Sequence, residues 1–112
     1  MEKQDPKLIR IKNIANALFM DIKTKTFPVD MIILFGSTAK NIIHERSDMD
    51  ICIVSDEELS ITQKREIENY FYDMTQSEFN PDFVYCDKDK LQNGKQVFEK
   101  IRQEGRVIYE RL

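Results

Sequence analysis

Apolar residues in this chain form three short runs that polar segments separate. The runs lie at 31–35, 48–54 and 82–86, and their length and composition are typical of β-strands. The first run is apolar throughout, which predicts a strand covered on both faces. A short helix from 38 to about 43 is expected between the first two runs. These patterns predict three strands.

Between and around these runs, apolar residues recur with helical spacing. One face of the segment from about 6 to 24 is apolar, which predicts a first helix. Ser60 and Gln63 have the spacing of a capping box, and the apolar stripe behind them predicts a helix over roughly 60–77. A last helix is expected to close at Gly105, because glycine commonly follows a helix C-terminus.

The elements therefore follow the order α-β-α-β-α-β-α. Strands that alternate with helices indicate a small sheet packed by helices, in the α/β (α+β) class. The pattern alone leaves the strand order open, and it leaves open whether the pairing is parallel or mixed. A length of 112 residues is close to the commonest domain size, so we expect residues 1–112 to form a single domain.

Composition narrows the class of protein further. Acidic and basic residues are mixed along the chain, and the net charge of -3 argues against binding to a nucleic acid backbone. No apolar run approaches the roughly 20 residues that span a bilayer, and the polar N-terminus does not resemble a secretory signal. A cytoplasmic protein without a membrane partner is expected.

Cys52 and Cys86 lack the spacing of a zinc or redox motif, so we interpret both as reduced, half-buried small hydrophobic residues.

Two carboxylates at the start of the second strand are the first candidate site. Asp48 and Asp50 are two residues apart, so on a strand both side chains point to the same face. Carboxylates that converge repel one another unless a cation lies between them. Magnesium fits such an open Asp-x-Asp pair, because it prefers oxygen ligands and often completes its shell with substrate phosphates. The pair therefore indicates a site for a metal-bound nucleotide.

The end of the first strand is the second candidate site. Gly36 and Ser37 end the strand, and the expected short helix begins directly after them, where unpaired backbone N–H groups can bind a phosphate oxygen. Glycine lets the backbone approach a ligand closely, and the Ser37 hydroxyl adds a donor. A Gly-Ser dipeptide is by itself more often a simple turn. Its combination with the two aspartates is what favours a nucleotide site.

Gly36 and Ser37, ten intervening residues, and then Asp48-Met49-Asp50 resemble the GS-x10-DxD signature of the nucleotidyltransferase superfamily. The resemblance is to its minimal (MNT) branch, and the superfamily includes kanamycin nucleotidyltransferase-like and polymerase-β-like enzymes. It implies a nucleotidyltransferase fold with a small mixed sheet.

Other segments extend the resemblance over most of the chain, although it is weak outside residues 31–54. Residues 32–35 look like the strand that precedes the signature in the family, and residues 47–51 look like its SDxDL segment. Residues 104–109 resemble the closing segment of short members.

The resemblance also implies a third carboxylate on a neighbouring strand. Asp82 opens the third apolar run and fits this role, whereas its rivals Asp87 and Asp89 lie in a polar turn. Asp48, Asp50 and Asp82 would then be both the metal ligands and the catalytic residues. Family members often have arginine where this chain has Lys40, which places a positive charge near a phosphate but lacks the fork geometry of arginine.

The function implied by the resemblance is transfer of a nucleoside monophosphate, with AMP from ATP expected, to an acceptor hydroxyl with the help of two magnesium ions. Short MNT proteins are often paired with helical HEPN proteins in toxin–antitoxin modules, where the MNT member places AMP on a toxin tyrosine. The expected partner is therefore a HEPN-type protein, in a homo- or hetero-oligomer. The alternative is a noncatalytic nucleotide-binding module that neutralises or scaffolds a partner by contact.

Overall fold

The structure is a computed structural model that describes residues 9–10, 12–14, 16–17, 27–36, 48–75 and 80–111, with backbone only at 48–49, 74–75 and 80. Helical residues at 9–10, 12–14 and 16–17 are here called α1. The later elements are β1 Met31–Phe35, β2 Asp48–Val54, α2 Ile61–Thr75, β3 Asn80–Cys86, α3 Lys88–Asn93, α4 Val97–Glu104 and β4 Arg106–Glu110.

The four strands form one mixed sheet in the order β3-β2-β1-β4. β1 is antiparallel to both β2 and β4, whereas β2 and β3 are parallel. The parallel pair is possible because α2 carries the chain back between the two strands, as parallel pairing requires. The expected small mixed sheet packed by helices is confirmed.

Alternate residues of β1 and β2 enter two separate apolar clusters, one on each face of the sheet. The α2-side cluster contains Ile14, Phe27, Val29, Ile32, Leu34, Ile51, Ile53, Leu59, Ile67, Phe71 and Ile108. The α4-side cluster contains Ile33, Phe35, Cys52, Val54 and Ile101. Because successive strand residues point to opposite faces, a continuous apolar run supplies both clusters. The prediction that β1 is covered on both faces is confirmed.

Helix α2 begins with the predicted capping box. The Ser60 backbone N–H donates to Gln63 Oε1 at 2.9 Å, and the Gln63 N–H donates to Ser60 Oγ at 3.1 Å. This exchange satisfies two backbone donors that the helix itself leaves unpaired. The buried side chains of Ile67 and Phe71, four residues apart, then fix the helix on the sheet.

The C-terminal part of the chain differs from the prediction in two elements. The segment read as a polar turn around Asp87 and Asp89 contains helix α3, and residues after Gly105 form the additional strand β4. Gly105 ends α4 as expected, with its N–H donating to the carbonyl of Ile101 at 2.8 Å. The observed order therefore gains a helix and a strand at its end.

Some expectations fall on other parts of the chain. The short helix predicted from 38 to 43, and the parts of the helix predicted over 6–24 that α1 leaves out, lie outside the described residues. None of the helices in the described part of the chain is long and apolar enough to cross a membrane.

Candidate functional site

The parallel register of β2 and β3 places Asp50 directly opposite Asp82. Directly opposed residues on neighbouring strands point to the same face, here the face that carries Cys52 on β2 and Val84 on β3. The Asp50 side chain is half-buried and that of Asp82 is exposed. The sheet thus brings together two carboxylates that are separated by 32 residues of sequence, at the end of the strand pair where the chain enters both strands.

Gly36 packs against the same carboxylate. In the antiparallel pair of β1 and β2, Phe35 lies opposite Asp50, and Gly36 turns out of the strand with φ of +73°. A Cβ atom at Gly36 would overlap Asp50 Oδ2 and lie 3.3 Å from its Cγ. The left-handed backbone and the missing side chain are therefore both needed for the turn to lie beside the carboxylate.

Of the other predicted site residues, the structure fixes only the backbone position of Asp48. Asp48 is the first residue of β2 and pairs with Asn80, two residues before the Asp50–Asp82 pair. Ser37 and Lys40 lie outside the described residues. The roles predicted for these three residues stay predictions.

The two rival carboxylates lie beyond the opposite end of β3. Asp87 is the N-cap of α3, where its Oδ1 accepts from the Lys90 backbone N–H at 2.7 Å. Asp89 accepts from Asn93 Nδ2 at 2.9 Å within the same helix. Both therefore have local structural roles, whereas Asp82 is the carboxylate that faces Asp50. The geometry favours Asp82 as the third member of the predicted site.

The chemistry of this group of oxygens fits a divalent cation. Asp50 and Asp82 offer carboxylate oxygens on one face, and hard cations such as magnesium prefer oxygen ligands. Among the side chains that the structure describes, no group of three or more His, Cys, Asp or Glu could hold a metal ion, but the side chain of Asp48 is not among them. The two described carboxylates would need Asp48 or a ligand to complete such a site.

The opposite end of the β2–β3 pair carries a second polar region, which we call the far end. A cavity of about 320 Å³ lies there, lined by Ser55, Asp56, Glu57, Glu58, Leu59, Lys64, Tyr85, Cys86 and Asp87. The Tyr85 hydroxyl donates to Glu68 Oε2 at 2.7 Å, and the Lys64 ammonium lies 4.8 Å from the centre of the Tyr85 ring. Burial, with the Glu68 carboxylate beside it, raises the pKa of Tyr85.

A contact between the two cysteines was not anticipated from the sequence. Both are free thiols, and their Sγ atoms lie 3.6 Å apart across β2 and β3. Their separation by 34 residues hides this pair from any short motif, and only the parallel register reveals it. Cys86 is half-buried as expected, whereas Cys52 is fully buried, because its strand is covered on both faces.

Comparison with known families agrees with this geometry. The family model for polymerase beta nucleotidyltransferases matches residues 19–112, which include Gly36, Asp50 and Asp82. The chain belongs to this family. The predicted resemblance to the nucleotidyltransferase superfamily is therefore confirmed over most of the chain. No curated protein sequence matches the chain at a significant level.

Solved structures of nucleotidyltransferase-like chains have the same fold. A chain of a toxin–antitoxin complex with AMP-PNP matches with a TM-score of 0.65 and 19% identity, covering 89% of this chain and 73% of that one. A nucleotidyltransferase candidate from Sulfolobus solfataricus matches with a TM-score of 0.53 and 18% identity, covering 99% and 93%. A complex of a tri-AMPylated Shewanella oneidensis HEPN toxin with its MNT antitoxin matches with a TM-score of 0.52 and 15% identity, covering 91% and 73%. At these identities the likeness concerns the fold.

Proposed function

We propose that this protein transfers AMP from ATP to an acceptor hydroxyl, and that the acceptor is a tyrosine of a HEPN-type toxin, so that the protein acts as an antitoxin. The observation that carries the proposal is the pairing of Asp50 with Asp82, with Gly36 packed against the Asp50 carboxylate. Membership of the nucleotidyltransferase family supports the reaction class. Because ATP is the donor, the proposal places the protein in the cytoplasm.

Each part of the site has a task in such a transfer. The turn at Gly36 leaves space beside the Asp50 carboxylate, and the backbone N–H groups after it, with the Ser37 hydroxyl, would bind phosphate oxygens. Lys40 would add positive charge near the phosphates. The exposed carboxylate of Asp82 lies where an acceptor hydroxyl can approach from solvent, and it would accept the proton that this hydroxyl loses.

Magnesium would be held by Asp48, Asp50 and Asp82, and when bound it would neutralise phosphate charge and lower the pKa of the acceptor hydroxyl. Without a cation between them, phosphate oxygens and these carboxylates would repel each other. This requirement makes the site dependent on a divalent cation. Its chemistry fits two ions that share these three carboxylates.

The proposal assigns the acceptor to a second chain. A structure of the same fold is the complex of an MNT antitoxin with a tri-AMPylated HEPN toxin, which supports AMP transfer to a HEPN-type partner. The exposure of Asp82 supports it as well, because a protein-borne hydroxyl must reach the carboxylate from outside.

The experiment is to incubate the protein with ATP labelled at the α-phosphate, magnesium chloride and a purified HEPN-type toxin. Label is expected on the toxin as tyrosine-linked AMP, detected by mass spectrometry of its peptides. Asp50→Asn should remove this label, since it takes away one of the ligand charges while conserving shape. Omitting magnesium should have the same effect.

The matched control is Glu58→Gln, which removes a carboxylate from the far end and should transfer normally. If the wild type neutralises the toxin without labelling it, and the Asp50→Asn variant neutralises it equally well, the protein is a noncatalytic binding module. The proposed reaction would then be wrong. Label on added small molecules but not on the toxin would retain the transferase and overturn the tyrosine acceptor.

A further inference from the structure

The thiol pair lies in the same two strands as the paired carboxylates. Cys52 follows Asp50 by two residues on β2, and Cys86 follows Asp82 by four on β3. The two Sγ atoms lie 3.6 Å apart, close enough for one thiol to donate a hydrogen bond to the other. Cys52 is fully buried, whereas Cys86 is half-buried and also lines the far-end cavity.

We propose that Cys52 and Cys86 form a redox-active dithiol, which a low-molecular-weight disulfide oxidises to a reversible bond between the two strands, with Cys86 reacting first. The order follows from exposure, because Cys86 is the sulfur that a small reagent can approach. In addition, the hydrogen bond from the Cys52 thiol and the nearby Lys90 ammonium lower the pKa of Cys86. A lower pKa increases the fraction of Cys86 that is present as thiolate.

The chemistry balances with one equivalent of oxidant. The Cys86 thiolate attacks one sulfur of the small disulfide, forms a mixed disulfide and releases one small thiolate. The Cys52 thiol then loses its proton and attacks Cys86 Sγ, forming the Cys52–Cys86 bond and releasing the second small thiol. The protein loses two hydrogen atoms in total, and the small disulfide is reduced to two thiols.

The register predicts that this bond is strained. Cys52 lies opposite Val84 and Cys86 opposite Val54, so the cysteines are diagonal neighbours. Strand spacing and rise separate diagonal Cα atoms by roughly 8 Å, whereas relaxed disulfides span about 4.4–6.8 Å. Closing the bond must pull β2 and β3 together or slide one along the other. Strained disulfides are the more easily reduced ones, which makes the reaction reversible.

This movement has a consequence for the carboxylates, which rests on the function proposed above. Asp50 is two residues from Cys52 and is packed against Gly36, so a shift of β2 relative to β3 changes the alignment of Asp50 with Asp82. Transfer depends steeply on such alignment. Oxidation is therefore expected to lower nucleotidyl transfer several-fold, and reduction should restore it.

The experiment treats the native protein with oxidised glutathione and measures its intact mass. The wild type should end as a monomer lighter by two hydrogen atoms, with both thiols unreactive towards a maleimide, and dithiothreitol should reverse the change. Cys52→Ala should stop at a mixed disulfide heavier by one glutathionyl group. Cys86→Ala should remain unmodified while folded, because the remaining thiol is buried.

Several results would overturn the proposal. A wild-type protein that stays reduced, or that accumulates a stable mixed disulfide, excludes the internal bond, and a Cys86→Ala protein that reacts as fast as wild type excludes the order of reaction. Circular dichroism confirms that each variant is folded.

If the oxidised protein transfers AMP as fast as the reduced one, the proposed effect of the bond on the carboxylates is wrong, although the proposal of a redox-active thiol pair stands. If the reduced protein transfers nothing, the proposed function is wrong, while the mass measurement still judges the thiol pair.

Discussion

The two ends of the parallel β2–β3 pair both carry acidic residues, but they arrange them in opposite ways. At the far end Asp56 lies 3.4 Å from the Lys88 ammonium, and Glu68 accepts a hydrogen bond from the Tyr85 hydroxyl. At the other end Asp50 faces another carboxylate, Asp82. The far end thus pairs its carboxylates with donors inside the protein, whereas the other end presents Asp50 and Asp82 on one face of the sheet, where a cation could bind them.

The largest expected effect comes from neutralising one carboxylate, which can be compared at the two ends of β3. Asp82→Asn should lower the rate of AMP transfer on the order of 100-fold, which corresponds to about 2.7 kcal/mol, because one of the charges around the metal is lost. Asp87→Asn should leave transfer unchanged, since asparagine also caps a helix well. Initial rates at saturating magnesium measure both. Equal losses of transfer rate in the two variants would show that the two ends of β3 do not differ in their role in AMP transfer.

Gly36→Ala should affect both activity and stability. The left-handed backbone costs an alanine about 1–2 kcal/mol, and its Cβ would push the Asp50 carboxylate aside. Urea unfolding measures the stability term. In an Asp50→Ala background the overlap is gone, so the same substitution should cost less there. If the two backgrounds give equal costs, the contact between Gly36 and Asp50 is unimportant.

Tyr85→Phe tests the far end and should lower the free energy of unfolding by about 1 kcal/mol, through loss of the hydrogen bond to Glu68. The pKa of Tyr85 is raised above its unfolded value of 10.0, so its contribution is fully present below pH 10 and is lost as pH rises from there towards the folded pKa. The difference between wild type and variant should therefore shrink above pH 10, while AMP transfer at neutral pH stays normal. A constant difference across this range would contradict the assignment.

The smallest effect is expected from Asp56→Asn. The Lys88 backbone N–H donates to Asp56 Oδ1 at 3.1 Å, and this bond, with the Lys88 charge, holds the pKa of Asp56 below its usual value of 3.8. Its contribution is present above pH 3.8 and is lost as pH falls through the folded pKa. Because the pair is exposed, the loss in the variant should be small and should vanish in high salt. Urea unfolding in low and high salt tests this.

The sequence-based predictions succeeded where a local signal was strong. The continuous apolar run of β1 and the capping box of Ser60 and Gln63 both predicted elements that the structure contains. Helix α3 was missed because Leu91 is its main apolar contact, so the segment has no apolar stripe that would indicate a helix. Its N-cap, Asp87, had been considered as a metal ligand. β4 was missed because a register shift in its pairing with β1 breaks the alternation that marks a strand.

The sequence offers candidate residues for the site but not their arrangement. Asp48, Asp50 and Gly36 follow from spacing within one short segment, and Asp82 was preferred to Asp87 because it opens an apolar run. The register between β2 and β3 adds that Asp82 lies opposite Asp50. The apolar pattern of a strand fixes which face each of its residues takes, but it does not name the residue that lies opposite on the neighbouring strand. The same reason explains why the contact between Cys52 and Cys86 could not be foreseen.

The irregular pairing of β4 also bears on how copies of this protein behave when crowded together. β3 and β4 are the edge strands of the described sheet, and an open edge can recruit a strand from another molecule. The register shift at β4 distorts one edge, and the other edge strand contains Pro81, a residue that interrupts strand pairing. Neither edge is an easy template for strand addition, so we expect the sheet to resist growth into aggregates at high protein concentration.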